Sequence, residues 1–413
     1  MTEFCTGKAS DREDIIDFIN MVFSQTGQPH DFKTLLPKLY ADDTDTSACH
    51  FLAKENGKIK AVVGLFPTET TVGGIRLKLG HIGSVSVHKY ARGKGYMKQL
   101  MAMAYEAAKC GGYDALVLGG KKNRYQYLGF QPTEAAAKYS FIPENFSHQY
   151  KGGHDTISFE RVGDEHSKYI SEIRVLYEKC PVYTDRGDDR QFFKVLCSWH
   201  STPYAVLKNG HFAGYITDLC GQCIGEWGFL EISDFPAVLA AWFLQQKLTS
   251  LTICVPPYDT AACEVLGKYC ESFSPVMRHN WHILNFGKII EALMRVKNSS
   301  ESLEEGSFML RIKKYDGSAE LCKLIVRDGD VKTWTENISA EKFNGQKESE
   351  ALAETAKIFN ADDCERDVAI GLLEAEEALF SAAVNYRSYG LDGGLRYKNW
   401  FPLPLCIDEN DAC

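Results

Sequence analysis

The feature that most constrains the fold of this chain is a strand-like run that leads through glycines and cations directly into an amphipathic helix. VSV, residues 85–87, is typical of a strand, and YMKQLMAMAYEAAKC, residues 96–110, carries apolar residues at helical spacing. RGKG, residues 92–95, stands between them. The first turn of a helix has unpaired amide groups and a positive dipole end, glycines admit a phosphate close to the backbone, and Arg92 and Lys94 add charge. The stretch therefore predicts an anion site at a helix N-terminus.

Strand-like and helix-like segments alternate along the first two thirds of the chain. SDRE, residues 10–13, has the form of a capping box that opens a helix, and residues 50–87 contain three strand-like runs separated by turn residues. A similar order of elements recurs over residues 150–285 without the glycine-rich turn. The pattern predicts a mixed α/β (α+β) fold in which the second part loosely repeats the first.

The pattern changes near residue 290. Strands joined by DG turns are followed by helical segments at residues 338–345 and 349–360, by a last helix that ends near Phe380, and by an irregular tail over residues 399–413. These segments predict a third, separate part of the chain.

Composition and charge exclude several classes of protein. The net charge of −9 and the pI of about 5.7 argue against a general nucleic-acid binder, which needs a basic surface. The longest purely apolar run, residues 237–244, is too short to span a bilayer, and the N-terminal residues do not resemble a secretory signal. We therefore expect a cytoplasmic protein with no nucleic-acid or membrane partner.

The chain has 14 cysteines without regular spacing. Cys220 and Cys223 alone have metal or redox spacing, and no second Cys or His pair accompanies them. Their segment is more typical of two strands joined by a turn at Gly221–Gln222. We assign no metal site.

Two motifs resemble those of the GCN5-related N-acetyltransferases (GNAT). VSVHKYARGKGYMKQL resembles motif A of that superfamily, R-x-x-G-x-(G or A) between a strand and a helix, with Arg92 and Gly95 matching and Met97 in place of a small residue. YQYLGF, residues 125–130, resembles the Y-x-x-x-G-F motif that follows.

The bulky pair Tyr96–Met97 is similar to the enhanced-intracellular-survival (Eis) branch of the superfamily. That resemblance implies tandem GNAT folds followed by a sterol-carrier-protein-like α+β domain. The corresponding division is a catalytic domain at residues 1–148, a degenerate and catalytically silent domain at 149–288, and a third domain at 289–413 whose tail enters the active site.

The resemblance also implies acetyl-CoA as co-substrate. Its pantetheine arm would pair with the backbone of Val85, Ser86 and Val87. Its pyrophosphate would take the amides of the turn, which belong to Arg92, Gly93, Lys94, Gly95, Tyr96 and Met97.

Direct acetyl transfer needs an acid for the departing thiolate and a base for the amine proton. Tyr125 matches the tyrosine acid of the superfamily, whereas Tyr127 is interpreted as a packed aromatic residue. HIGSVSV, residues 81–87, lacks the glutamate that many members use as base.

The Eis branch uses its terminal carboxylate as base, which implies Cys413 here. Asp408, Glu409 and Asp411 of the tail, His81 and water remain alternatives, and an acidic tail is also commonly solvated.

The sequence therefore predicts an acetyl-CoA-dependent N-acetyltransferase that acts by direct transfer on primary amines of a cationic small molecule, aminoglycoside or polyamine-like. The alternative is a lipid or small-molecule carrier that uses the C-terminal domain on a non-catalytic GNAT scaffold. The branch forms trimers and hexamers, which implies a homo-oligomer.

Overall fold

The computed structural model describes residues 2–25, 28–339, 364, 366–380 and 397–413. The strands are β1 (Thr2–Thr6), β2 (His50–Glu55), β3 (Lys58–Val72), β4 (Ile75–Val87), β5 (Ala115–Leu118), β6 (Gln131–Pro132), β7 (Ala135–Phe141), β8 (Ile157–Arg161), β9 (Val182–Thr184), β10 (Ser201–Lys208), β11 (His211–Leu219), β12 (Cys223–Phe229), β13 (Leu251–Val255), β14 (Ser272–Met277), β15 (Asn280–Ile283), β16 (Gly306–Lys313), β17 (Ala319–Arg327), β18 (Asp330–Ile338) and β19 (Arg366–Gly371). The helices are α1 (Arg12–Ser24), α2 (Phe32–Leu35), α3 (Pro37–Tyr40), α4 (Tyr96–Cys110), α5 (Lys122–Tyr125), α6 (Pro143–Gln149), α7 (Ile170–Tyr177), α8 (Asp189–Leu196), α9 (Phe235–Gln246), α10 (Thr260–Gly267), α11 (Phe286–Glu301) and α12 (Leu372–Phe380).

The first sheet has the order β1-β2-β3-β4-β5-β15-β6, and β9 also pairs with β3. Its longest hairpin joins β3 to β4 through Gly73 and Gly74, whose φ angles of 54° and 79° give the two-residue turn that matches strand twist. Helices α1 and α4 bury apolar faces against this sheet. The mixed α/β fold predicted from the alternating pattern is confirmed.

Strand β4 separates from its parallel neighbour β5 at its carboxyl end. The two strands pair from Leu79 to His81 of β4, opposite Ala115 to Val117 of β5, and the pairing stops there. Beyond that point Ser84 has a φ of 54°, and the register with β3 shifts, which is a β-bulge. The bulge bends residues 82–87 away from β5, so the facing backbone groups of this stretch lie along an open wedge.

The second sheet has the order β14-β7-β13-β12-β11-β10-β8 and contains a similar parallel pair, β12 with β13. The two sheets exchange strands. Strand β15 lies between β5 and β6 in the first sheet, and β7 lies between β13 and β14 in the second. The first two parts of the chain are therefore joined through paired strands as well as through packing. The predicted turn at Gly221–Gln222 lies between β11 and β12, as expected.

The third sheet has the order β18-β17-β16-β19, and α11 packs between it and the first sheet in one continuous apolar core. Helix α12 is described over Leu372–Phe380, and the irregular tail contains one 3₁₀ turn at Glu409–Asp411. The residues directly after Phe380 lie outside the described ranges, so the predicted end of this helix stays a prediction. The helices predicted at residues 338–345 and 349–360 lie, from residue 340 onward, outside the described residues.

The predicted capping box at SDRE is wrong. A 3₁₀ turn at Ala9–Asp11 precedes α1, and the Asp11 carboxylate accepts from the Lys8 amide at 3.1 Å, two positions earlier than the predicted Ser10–Glu13 pairing. Glu13 instead contacts Arg12. Separately, no helix within the described ranges is long and apolar enough to span a lipid bilayer.

Candidate active site

A cavity of about 570 Å³ lies along the open wedge of β4, and we call it the strand cavity. Val85, Ser86, Val87, Arg92, Met97 and Arg124 contribute to its lining. The Ser86 hydroxyl is buried and has no hydrogen-bond partner among the described residues. A buried, unpaired polar atom on a strand with free backbone groups fits an extended ligand that carries its own amides.

The N-terminus of α4 opens beside this cavity. Gly95 is the N-cap with a φ of 80°, a conformation that favours glycine, and nothing lies within 4 Å of the position a Cβ would take at Gly93 or Gly95. The open space, the unpaired amides of the first turn and the charge of Arg92 fit the phosphate groups of a nucleotide.

The structure separates the predicted residues of this turn into two groups. Arg92 and Met97 line the strand cavity. The Lys94 ammonium lies 2.6 Å from the Glu55 carboxylate, and the buried Tyr96 hydroxyl also contacts Glu55. The charge of Lys94 is therefore shared with an acid, so among the described residues Arg92 and Arg124 supply the positive charge that lines the cavity.

A second cavity, of about 340 Å³, continues from the first, and we call it the junction cavity. It shares Val85, Phe23 and Arg124 with the strand cavity, and both Tyr125 and Cys413 line it. The wedge of β4, the predicted acid and the end of the tail therefore meet at one place.

Tyr125 and Tyr127 have opposite environments. Tyr125, the last residue of α5, is 5% exposed, whereas Tyr127 is 60% exposed. Burial raises the pKa of Tyr125, and Arg124 beside it partly opposes that rise. Tyr125 therefore holds its proton at neutral pH inside the junction cavity. The interpretation of Tyr127 as a packed aromatic residue is wrong, because its ring points to solvent.

A third cavity, of about 450 Å³, lies on the other side of Cys413, and we call it the tail cavity. Lys38, Glu69, Asp185, Arg186, Asp411 and Cys413 contribute to its lining. Glu69 and Asp185 are exposed and adjacent, since the Asp185 amide donates to the Glu69 carbonyl at 2.8 Å. Cys413 thus separates a cavity with two exposed carboxylates from the cavity that holds Tyr125.

The tail is held by a buried arginine. Arg186 binds the Glu226 carboxylate with both terminal nitrogens, at 3.0 and 2.8 Å, and its Nε lies 2.8 Å from Asp411. Tyr177 donates to the same Asp411 at 2.7 Å. Because all of these groups are buried, losing one partner would leave an uncompensated charge, at a typical cost of about 3–5 kcal/mol. The tail is therefore packed into the protein, and the alternative of a solvated tail is wrong.

A second anchor holds the tail further from its end. Arg278 donates to the Ile407 carbonyl at 3.1 Å and pairs with Glu409. Buried Glu134 accepts from His279 at 2.9 Å and from the Ile407 amide at 3.4 Å. These contacts join the tail to the segment between β6 and β7 and to the start of β15.

His81 is placed differently from the other candidate bases. It is 2% exposed, and its Nε2 lies 3.0 Å from the Thr68 hydroxyl. Burial, with Lys38 and His279 nearby, lowers the pKa of His81 to about 3. It does not contribute to the lining of the three cavities described above.

Four residues that line these cavities were not among the predicted site residues: Arg124 and Trp199 of the junction cavity, and Lys38 and Arg186 of the tail cavity. Arg124 directly precedes Tyr125, so its position next to the predicted acid could have indicated that it belongs to the site. Lys38 and Arg186 stand in ordinary polar stretches, and only the folded chain brings them to the tail.

One family model matches the N-terminal part of the chain. Residues 4–132 match the family model described as "Acetyltransferase (GNAT) domain". The predicted GNAT acetyltransferase domain and the predicted enzyme class, an N-acetyltransferase, are therefore confirmed, and members of this family use acyl-CoA donors. A search of curated proteins found no match.

Solved structures share the fold. A GCN5-related N-acetyltransferase from Anabaena variabilis aligns with a TM-score of 0.61 and 13% identity over 99% of this chain and 98% of its own. Eis1 from Mycobacterium abscessus aligns with a TM-score of 0.57 and 12% identity over 99% and 98%. A conserved Enterococcus faecalis protein described as a probable N-acyltransferase aligns with a TM-score of 0.59 and 13% identity over 81% and 86%. At these identities the likeness shows the fold alone.

Proposed function

We propose that the chain transfers an acetyl group from acetyl-CoA to a primary amine of a cationic small molecule, aminoglycoside or polyamine-like. The observation that carries this proposal is the placement of Cys413, which lines both the junction cavity beside Tyr125 and the tail cavity beside Glu69 and Asp185. A donor entering along β4 and an acceptor entering through the tail cavity would meet at Cys413.

The donor lies in the strand cavity in this proposal. The backbone of Val85, Ser86 and Val87 pairs with the pantetheine arm, and the amides of residues 92–97 together with the Arg92 side chain take the pyrophosphate. The thioester then lies in the junction cavity, within reach of Tyr125. The part of the lining that β4 supplies, Val85, Ser86 and Val87, carries no charge, and the pairing of β4 with β5 ends before it; both features support this orientation.

The reaction is a direct transfer. The amine nitrogen attacks the thioester carbonyl carbon, its surplus proton goes to the base, and the C–S bond breaks as the tetrahedral intermediate collapses. Tyr125 gives its proton to the departing thiolate. A covalent acyl-cysteine at position 413 is disfavoured, because burial raises the pKa of the Cys413 thiol to about 11 and only the thiolate is nucleophilic.

The base that we propose is the carboxylate of Cys413 as the terminal group of the chain. The other candidates are engaged elsewhere. Asp411 is bound by Arg186 and Tyr177, and Arg186 holds its pKa down against the effect of burial. Asp408 caps the 3₁₀ turn, and Glu409 pairs with Arg278. His81 is buried behind Thr68 with its pKa at about 3, so it would be a weak base.

Charge supports the proposed acceptor class. Glu69 and Asp185 are exposed acids on the tail cavity, with Arg76 3.7 Å from the Asp185 carboxylate, and the whole chain carries a net charge of −9. Both features favour a cation, and a cavity of about 450 Å³ accommodates a small molecule.

The finer organisation remains part of the proposal. We propose that the chain divides into domains at residues 1–148, 149–288 and 289–413. In this proposal the second domain is catalytically silent, and the third is sterol-carrier-protein-like and delivers the tail to the active site. We also propose that the protein is cytoplasmic and forms a homo-oligomer. The packing of α11 between the first and third sheets supports a structural role for the third domain. The family match favours the transferase over the carrier alternative.

The experiment that tests the proposal measures CoA release by chromatography with a panel of aminoglycosides and polyamines, using acetyl-CoA and longer acyl-CoA donors. The full chain, shown by intact mass to end at Cys413, is compared with a chain that ends at Asp411. Acetyl-CoA affinity of both is measured by calorimetry.

We expect turnover by the full chain and a loss of at least about 100-fold in kcat in the shortened chain, with acetyl-CoA affinity retained. Turnover that survives shortening would overturn the terminal carboxylate as base. Absence of both turnover and acetyl-CoA binding would overturn the transferase reading and favour the carrier.

A further inference from the structure

Lys38 is a buried lysine at the centre of the tail contacts. It lies on α3, is 5% exposed, and its backbone carbonyl accepts from the Gln191 side chain of α8 at 3.0 Å. Its ammonium donates to the carbonyls of Asn410 and Ala412, each at 2.5 Å. The Ala412 carbonyl also accepts from the Trp199 indole at 3.3 Å.

This arrangement fixes the peptide that immediately precedes residue 413. Two donors from different elements converge on one carbonyl, so they set the direction in which the chain leaves Ala412. The hydrogen bonds of Lys38 go to carbonyls rather than to a carboxylate, so the lysine fixes the tail without consuming the basic lone pairs of its end.

We propose that Lys38 is the positioning residue for the terminal carboxylate: its ammonium holds the Ala412 carbonyl so that the end of the chain lies between the two substrate cavities. This inference rests on the proposed function, since it concerns the base of the same reaction.

The charges around Lys38 agree with this role. Burial lowers the pKa of Lys38, and Cys413, Asp411 and Asp408 oppose the fall, whereas Arg186 adds to it. His81 lies close enough for Lys38 to contribute to the lowering of its pKa. A buried ammonium is costly, and an apolar side chain of similar length would fill the same space without that cost. The hydrogen bonds of the Lys38 ammonium to the tail carbonyls therefore explain why a charged residue is buried at this position.

The test compares Lys38→Met, which keeps the length and removes the charge, with Lys38→Arg, which keeps a charge. Lys33→Met is the matched control, because Lys33 lies on the neighbouring helix α2 and pairs with Asp42 and Glu13 at the surface. The measurements are kcat and KM against pH, acetyl-CoA affinity, and hydrogen exchange of the peptide that covers residues 406–413.

We expect Lys38→Met to lower kcat by about 100-fold, because the base is misplaced, with acetyl-CoA affinity within about twofold of the unmodified chain. Removing a nearby positive charge raises a carboxylate pKa, so the acidic limb of the rate profile should move up by about 1 pH unit. Lys38→Arg should recover most of the lost kcat, and tail amides should exchange faster only in the methionine variant.

Three results separate this inference from the function on which it rests. A Lys38→Met enzyme with the rate and pH profile of Lys33→Met would overturn the inference alone. A loss of kcat with no shift in the pH profile and with weakened acetyl-CoA binding would also overturn it, since it would indicate a general packing role. If the unmodified chain shows no turnover and the tail amides of Lys38→Met exchange hydrogen faster, the proposed function would be overturned, whereas the anchoring of the tail by Lys38 would be supported.

Discussion

At the scale of single residues, the chemistry depends on environments that differ over very short distances along the chain. Tyr125 and Tyr127 are separated by one residue, yet the first is buried in the junction cavity and the second is 60% exposed. The turn that follows α5 directs alternate side chains to opposite sides. Burial then raises the pKa of Tyr125 and makes it an acid that is protonated at every physiological pH.

The first prediction concerns this pair. Tyr125→Phe should lower kcat by about 10²–10⁴-fold, because the departing thiolate loses its proton donor, while acetyl-CoA affinity is unchanged. Tyr127→Phe is the matched control and should leave kcat within about twofold. Steady-state rates and calorimetry measure both, and equal rates for the two variants would remove Tyr125 from the mechanism.

At the scale of elements, β4 provides the space that the tail occupies. A Cβ at Gly83 would lie 3.1 Å from a Phe66 ring carbon and 3.2 Å from the Cys413 Cβ, so a larger residue there would crowd both the Phe66 ring and the tail. The bulge at Ser84 follows directly and opens the wedge for the donor. One short stretch of strand therefore shapes both sides of the proposed reaction centre.

Gly83→Ala should displace residue 413 and lower kcat by about 10–100-fold, with a smaller effect on acetyl-CoA affinity. Gly163→Ala is a suitable control, since nothing lies within 4 Å of the corresponding Cβ position in that loop. Wild-type kcat in Gly83→Ala would mean that the end of the tail has no fixed place in the reaction.

Much of the N-terminal part of the fold could be predicted from local patterns, because its elements are defined by short-range signals. The three strands over residues 50–87 and helix α4 follow from periodicity and turn residues. The contacts that anchor the tail could not be predicted, because they join residues far apart in the sequence. Lys38 donates to the carbonyls of Asn410 and Ala412, which are separated from it by 372 and 374 positions, and Arg186 binds Asp411 across 225 positions. Exchange of β7 and β15 between sheets is equally non-local, since each strand is ordinary in its own sequence context.

At the scale of the whole molecule, a buried ion pair joins the first sheet, the second sheet and the tail. Glu134, between β6 and β7, accepts from His279 at 2.9 Å and from the Trp281 indole at 3.1 Å. Burial opposes ionisation of Glu134, but His279 and Arg278 outweigh it and lower its pKa to about 2. Burial likewise opposes protonation of His279, yet Glu134 raises its pKa above the usual value.

This pair predicts how stability depends on pH. The pKa of Glu134 is lower in the folded protein than its unfolded value of 4.5, so its ionised form contributes stability above pH 4.5 that is lost as pH falls toward 2. The pKa of His279 is higher in the folded protein than its unfolded value of 6.5, so its protonated form contributes stability that is lost as pH rises above 6.5. Glu134→Gln should therefore be most destabilising between about pH 5 and 6.5, by about 3 kcal/mol, with the difference from wild type shrinking on both sides. Thermal midpoints across pH measure it, with the exposed Glu144→Gln as control; a difference independent of pH would contradict the assignment.

The central claim is that the end of the chain, placed between the two substrate cavities, takes the proton from the amine. Adding one glycine after Cys413 tests it most directly, because the side chain and the anchors at Arg186 and Lys38 stay while the carboxylate moves by about 3.8 Å and an amide takes its place. We predict that kcat falls by at least about 100-fold across the pH range, with acetyl-CoA affinity unchanged. An extended chain that turns over at the rate of the original would contradict the claim.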